Sequence, residues 1–423
     1  MNDPYLRYQY DGEPLMDVYN SKNINLSVGI PGPDLLRHCG DMMLTAMKHR
    51  LKEEIRENKY YLFQYGINPG LWEYRNELSQ FLSRRYGDTV KRENLILTCG
   101  ATSGLQLIIN SIISPDGVIF VEELTYMLAL DIFKHFPLMK IIPVPFKSDC
   151  IDIDAFEQLL LKEKKRRFTI NKEKIFWAMF YAIPTFHNPT GNTLKPEFCQ
   201  RLVQIARKHS FLIVCDDVYN LLHYEEEFPP HRLFFYDDPE DEGYKGGNVI
   251  SNGSFSKILF PSVRVGWMEC SPKITENLKN SGILNGSGAV NHFISGTIAS
   301  LLHLKLEDEF LDVLIETYKK RLLKVCKTLD EFLPQSCSYT KPKGGYFIWI
   351  ELPQDMDASI FIDWCKEVHN VSAIPGIRFS CTQKYKNFFR ISFAFHSSEI
   401  LKDAVKSLCL GLKYYIVNIN EIF

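Results

Sequence analysis

The stretch FLIVCDDVY, residues 211–219, decides the fold. Phe211 to Val214 is an unbroken apolar run rather than an alternation, the pattern of a strand covered on both faces in a parallel sheet. It ends in a carboxylate. In an open α/β sheet the carboxyl ends of the strands face the ligand crevice, so Asp216 is expected to point into a site. Its alternative is to cap the following loop, the role expected of Asp217. Tyr219 lies close enough in sequence to reach the same ligand.

Working outward, Pro196 to His209 reads as a helix that returns the chain from an earlier strand, Phe176–Tyr181. That strand runs into Ile183–Gly191, where Asn188-Pro189 with a following glycine is a turn signal. Leu95–Leu97, Val118–Val121, Ile141–Val144 and Val249–Ser251 are further strand candidates separated by helical stretches. Such alternation implies an α/β fold with a mainly parallel sheet between helices. The expected division is a large domain over residues 51–304. A smaller α+β domain would span residues 305–423 and contain Tyr346–Leu352 and Phe389–Phe395, joined by residues 1–50. Two charged segments interrupt this: Lys162–Arg167, read as a solvated helix end, and Glu225–Gly247, read as a surface loop or a lid.

The segment Ser254-Phe255-Ser256-Lys257, with Arg264 following, places one lysine among donors suited to a phosphate. A lysine attacks an aldehyde only as the uncharged amine. Pyridoxal phosphate is such an aldehyde, and its phosphate needs several donors. Alone, the segment also reads as a surface turn, and four others decide for the cofactor. Asp216 would hold the pyridine nitrogen protonated. Asn188 would donate its amide to the ring's phenolate oxygen, with Tyr219 beside it. The turn Gly100-Ala101-Thr102 follows a strand and opens a helix, where bare N–H groups and the helix dipole favour an anion. Arg390 begins an alternating strand, and a guanidinium binds a carboxylate bidentately with charge-assisted bonds worth ~1.5–3 kcal/mol each. Its alternative is an exposed edge-strand arginine.

In order and spacing these residues resemble the fold type I, class I/II aminotransferase family, over roughly Ile24 to Ala394. The resemblance implies Lys257 as the catalytic lysine and proton shuttle. It implies Asp216 as pyridinium partner, Asn188 and Tyr219 as the phenolate-oxygen pair, and Arg390 as the α-carboxylate clamp. Tyr126 resembles the aromatic stacked on the cofactor ring, and Tyr65 the tyrosine donated to the phosphate across a homodimer interface. Gly29 and Phe347 match segments on the substrate side. Phe63-Gln-Tyr-Gly, Ser-Phe-Ser-Lys and Arg-Val-Gly-Trp are most similar to the 2-aminoadipate and kynurenine aminotransferase group. Where that group often carries Ser-Gln in the phosphate turn, this chain has Ala101-Thr102, so position 101 offers only its backbone N–H. The implied reaction moves an amino group from an L-amino acid (2-aminoadipate, aromatic or similar) to a 2-oxo acid such as 2-oxoglutarate. A carbon–sulfur β-lyase, an aminocyclopropane-carboxylate synthase or a non-catalytic member would share the same core residues.

Composition sets bounds. The 423 residues, 45% hydrophobic, suffice for a large core. A net charge of −2 points away from nucleic acid or an anionic membrane as partner. No apolar run is long enough to span a bilayer, and Met1-Asn-Asp-Pro lacks the order of a signal peptide. Eleven cysteines without CxxC spacing read as reduced thiols of a cytoplasmic protein. No metal is indicated.

Overall fold

The computed structural model describes residues 23–58, 60–147, 150–287 and 290–422. Its main sheet has seven strands in the order Leu95–Thr98, Gly266–Cys270, Val249–Ser254, Leu212–Asp216, Phe176–Ala182, Ile113–Glu122, Lys140–Val144. Neighbours pair in parallel except Gly266–Cys270, which runs antiparallel to both of its neighbours. Every strand candidate of the α/β reading falls in this sheet. The antiparallel strand was not among them, because Glu269 interrupts its apolar run. That carboxylate is buried only where Arg232 donates to both its oxygens.

Period-two alternation assigns the faces. Met179, Tyr181, Leu212 and Val214 enter one apolar layer, with Leu105, Ile108, Ala129 and Phe133 of the helices Ala101–Ile112 and Met127–Phe133. Phe180, Ile213 and Cys215 enter the opposite layer, with Phe156, Leu160, Cys199 and Leu202 of Ile153–Glu163 and Pro196–His209. Asp216 continues the Leu212–Val214 side. It therefore emerges beside Tyr181, and Asp217 turns the other way to accept from the Ser251 hydroxyl.

A second, antiparallel sheet orders Ser338–Tyr339, Phe347–Glu351, Phe388–Ser392 and Ile374–Pro375. Arg390 lies in an inner strand of it and is buried, so it is not an edge arginine. Ile24–Asn25 pairs in parallel with Val371–Ser372, joining the chain's beginning to its last third. The helix Cys39–Glu57 runs unbroken across residue 50 and packs on His292–His303.

The segment 225–247 is pinned to the large sheet. Its Arg232 is buried and reaches both Asp88 oxygens at 2.9 and 2.7 Å as well as Glu269, while Asp237 holds Arg207 at 2.9 Å. Removing one partner of such a buried set leaves an uncompensated charge, at a cost of ~3–5 kcal/mol.

Glu307, in the first turn of the helix Leu306–Phe332, is fully buried, and neither carboxylate oxygen finds a hydrogen-bond partner among the described residues. Burial pushes its pKa well above the ordinary 4.5, and the neighbouring Asp308 adds to the rise. Burial thus favours the neutral acid in the folded protein, whereas the unfolded chain ionises about its ordinary pKa. Stability is therefore lost as pH rises above 4.5, by ~1.4 kcal/mol per unit until the folded pKa is reached. Glu307→Gln, neutral at every pH, should match the parent's melting temperature near pH 4 and exceed it increasingly towards pH 8. Parallel curves in thermal denaturation across that range would show that Glu307 is ionised in the folded state.

Candidate active site

The carboxyl ends of the strands Phe176–Ala182 and Leu212–Asp216 and the turn after Val249–Ser254 converge on one cavity of about 210 Å³. Lys257, Asp216, Tyr219, Asn188, Tyr126, Ser254, Ser256, Arg264, Ala101 and Thr102 line it, together with Tyr181. Residues expected from distant parts of the sequence thus line one cavity. No residue of the segment 225–247 lines it.

Lys257 Nζ donates to the Gly29 carbonyl at 2.7 Å, and the Tyr346 hydroxyl fixes the Lys257 carbonyl at 2.8 Å. Burial pulls the amine's pKa down to about 8; Asp216 opposes that shift, and Arg390 and Arg264 add to it. The uncharged amine, the state that acts as nucleophile or base, is therefore far more accessible near neutral pH than for an ordinary lysine. Asp216 shifts the opposite way. Burial raises it to about 6, against the Tyr181 hydrogen bond and the Lys257 charge. The Tyr181 hydroxyl donates to Asp216 Oδ2 at 2.5 Å, while buried Oδ1 has no partner among the described residues.

At the other end of the cavity, the helix Ala101–Ile112 begins without a side-chain cap. Its first N–H groups and dipole therefore offer an anion site. Gly100 precedes it with φ 89°, and a Cβ there would fall 2.9 Å from Arg264 Nη2. The backbone angle is what favours glycine here, and a Cβ would in addition push the Arg264 guanidinium aside. Arg264 Nη1 donates to Ser256 Oγ at 3.2 Å and Nη2 to the Cys99 carbonyl at 3.1 Å, while Ser254 and Ser256 hydroxyls stand 2.9 Å apart.

Arg390, Gly29 and Phe347 do not line the cavity but stand behind Asn188 and Lys257, which do; Arg390 Nη1 donates to Asn188 Oδ1 at 2.6 Å and Nη2 to the Ser27 carbonyl. Its guanidinium carbon lies 3.8 Å from the centre of the Phe347 ring. A Cβ on Gly29 would strike that ring at 2.5 Å, so the segment 27–29 closes on Phe347 only as glycine. Tyr65 does not line this cavity; it stands on the surface, 80% exposed.

A flat pyridine bearing a phosphate and an aldehyde fits this arrangement. The unpartnered Asp216 Oδ1 matches a protonated ring nitrogen, the glycine-lined helix start matches the phosphate, and the depressed lysine stands between them. Tyr181 and Asn252 were not anticipated from sequence. Asn252 Nδ2 holds the Ala101 carbonyl at 2.8 Å and so shapes the phosphate turn. A polar residue inside an otherwise buried strand was the available signal for Asn252; Tyr181 looked like one more apolar strand residue.

The model of the family "Aminotransferase class I and II" matches residues 21–408. An aromatic-amino-acid aminotransferase of Thermococcus litoralis is 29% identical over 405 residues, covering 95% of this chain and 90% of the relative. Among solved structures, a multiple substrate aminotransferase from Thermococcus profundus superposes with a TM-score of 0.79 at 25% identity, over 99% of this chain and 96% of that one. The alpha-aminoadipate aminotransferase of Thermus thermophilus, solved with N-(5'-phosphopyridoxyl)-L-leucine, gives 0.77 at 25% identity, over 98% and 97%.

The depressed lysine has a direct chemical test. In the protein freed of any cofactor, reductive methylation followed by peptide mapping should modify Lys257 half-maximally near pH 8, where exposed lysines remain protonated up to ~10.4. Modification of Lys257 only above pH 10 would show that the cavity does not desolvate it.

Proposed function

This chain belongs to the class I and II aminotransferases, and we propose that it moves the amino group of an L-amino acid to a 2-oxo acid with pyridoxal phosphate as its cofactor. The observation that carries the reading is the meeting of Lys257, Asp216, Asn188, Tyr219 and the start of the helix Ala101–Ile112 around one cavity. When bound, pyridoxal phosphate supplies an electron sink for the bond broken at the substrate's Cα.

The chain's residues do the rest. The N–H groups at residues 101–102, with the Ser254 and Ser256 hydroxyls and Arg264, hold the phosphate. Asp216 Oδ1 keeps the ring nitrogen protonated, and Tyr181, bonded to Oδ2, keeps that carboxylate ionised and turned. Asn188 and Tyr219, which line the same cavity, would donate to the ring's phenolate oxygen, and Tyr126 would supply an aromatic face for the ring. Arg390, beside Gly29 and Phe347, binds the α-carboxylate and orients the Cα–H bond towards Lys257. Lys257, uncharged below its ordinary pKa, takes the Cα proton.

For the donor we infer an aromatic or 2-aminoadipate-like amino acid, and for the acceptor 2-oxoglutarate. Support for an aromatic donor in particular is that, among the described residues, the cations lining the cavity are Lys257 and Arg264, both engaged otherwise, which leaves neither for a side-chain carboxylate. Relatives named for aromatic and for aminoadipate substrates support either side chain.

We also infer a homodimer with shared sites, located in the cytoplasm. Tyr61, Phe63, Tyr65 and Trp72 are 62, 62, 80 and 48% exposed within a short stretch of chain. Aromatic surface so concentrated favours burial against another molecule. Cys199, Cys215, Cys270 and Cys409 are free thiols inside the fold, as in a reducing compartment.

Lys257→Ala should abolish transamination, a loss of at least ~10³-fold, because among the described residues no other lysine lines the cavity. Incubating the holoenzyme with single amino donors should convert its cofactor to pyridoxamine phosphate, fastest with aromatic or 2-aminoadipate donors; no conversion with any donor would overturn the transaminase reading for this chain. For the dimer, Tyr65→Ala alone should be strongly impaired. Mixed with inactive Lys257→Ala chains it should regain activity, since an intact lysine site would receive Tyr65 from its partner. Subunit exchange without recovery would place Tyr65 outside the partner's site.

A further inference from the structure

We propose that Phe379 positions the Arg390 guanidinium, and that the electrostatics of its ring, rather than its volume alone, set how tightly the site holds carboxylate substrates. This rests on Arg390 being the carboxylate clamp.

A buried cation ordinarily needs a paired anion, since the effective cost of desolvating it is several kcal/mol. Arg390 is 3% exposed, yet among the described residues no Asp or Glu forms an ion pair with it. Its bonds go to the neutral oxygens of Asn188 and Ser27, and its buried Nε has no partner there. What compensates the charge is aromatic: the guanidinium carbon lies 3.8 Å from the Phe347 ring centre and 4.9 Å from that of Phe379. Both are within the range of a cation–π attraction. A ring face stabilises the cation without occupying its N–H groups. A carboxylate in the same place would compete with the substrate; an aliphatic side chain would fill space and leave the charge uncompensated.

Phe379 is also built in. It is fully buried at the end of the turn Gly376–Phe379, edge-on to Trp349 with ring centres 5.8 Å apart. Trp349 is the cross-strand partner of Arg390. The Phe379 carbonyl accepts from Thr125 N–H at 2.9 Å, and Leu124 bridges Ser380, so the turn is tied to the residues just before Tyr126. One residue thus sets the guanidinium's height and its register against the cofactor-stacking segment.

The test replaces Phe379 in the holoenzyme by mono-, di- and trifluorophenylalanine, which weaken the ring's negative face at nearly constant volume. KM for both the amino donor and the oxo acid should climb stepwise, to about 10-fold, with kcat within about 2-fold, and the inhibition constant of 3-phenylpropionate should climb in parallel. Phe379→Leu should raise KM at least as far, and Phe379→Tyr should stay near the parent. A flat KM along the fluorine series, or a fall in kcat at constant KM, would overturn the proposal. Arg390→Gln separates the two claims. If it raises KM while the fluorine series is flat, Phe379 is only a packing residue. If it leaves KM unchanged, Arg390 is not the clamp and the proposal falls with it.

Discussion

A carboxylate with one oxygen satisfied and the other left open organises this molecule. Asp216 stands where the central strand ends, and the pleat places it on the same face as Tyr181, whose hydroxyl takes Oδ2. Oδ1 is buried without a partner. The surrounding layers remove water from Asp216 and from Lys257 alike, raising the acid to about 6 and lowering the amine to about 8. Each then depends on the other's charge to limit its own shift. The apolar layer beneath the sheet, the helix start at Ala101 and the turn carrying Lys257 all serve to keep that pair dry and facing one cavity.

Much of this was legible in the chain. Unbroken apolar runs announced the parallel strands, because a strand covered on both faces leaves no polar alternation. Local sequence pattern marked Lys257, Asp216 and Asn188 as candidates, because each sits at a strand end or turn with its own short signature, and the three line one cavity. What escaped reading acts at long range. Gly266–Cys270 was obscured by Glu269, whose burial depends on Arg232 from a different segment. Tyr181 reads as a core aromatic until Asp216, 35 positions away, is set beside it. Asn252 earns its meaning from Ala101, separated by 151 positions. Residues 225–247 look like free surface from composition, and their fixed part follows from a single arginine finding Asp88 and Glu269.

The segment 27–29 plays a part out of proportion to its length. Its carbonyls accept from Arg390 at Ser27 and from Lys257 at Gly29, so the two cations with most to do are both held by one stretch of backbone. That stretch is placed by the pairing of Ile24–Asn25 with Val371–Ser372 and by Asp34, which accepts from the fully buried Arg321 at 2.5 Å. A side chain at Gly29 would push it off Phe347 and loosen both bonds at once.

The hydrogen bonds already made by Arg390 have a thermodynamic consequence. If Arg390 is the carboxylate clamp, a carboxylate that takes over its bonds to Asn188 and Ser27 gains only the difference between two good arrangements. A small acid offering nothing beyond its carboxylate would then win little by the exchange, whereas a molecule with a side chain to bury would tip the balance.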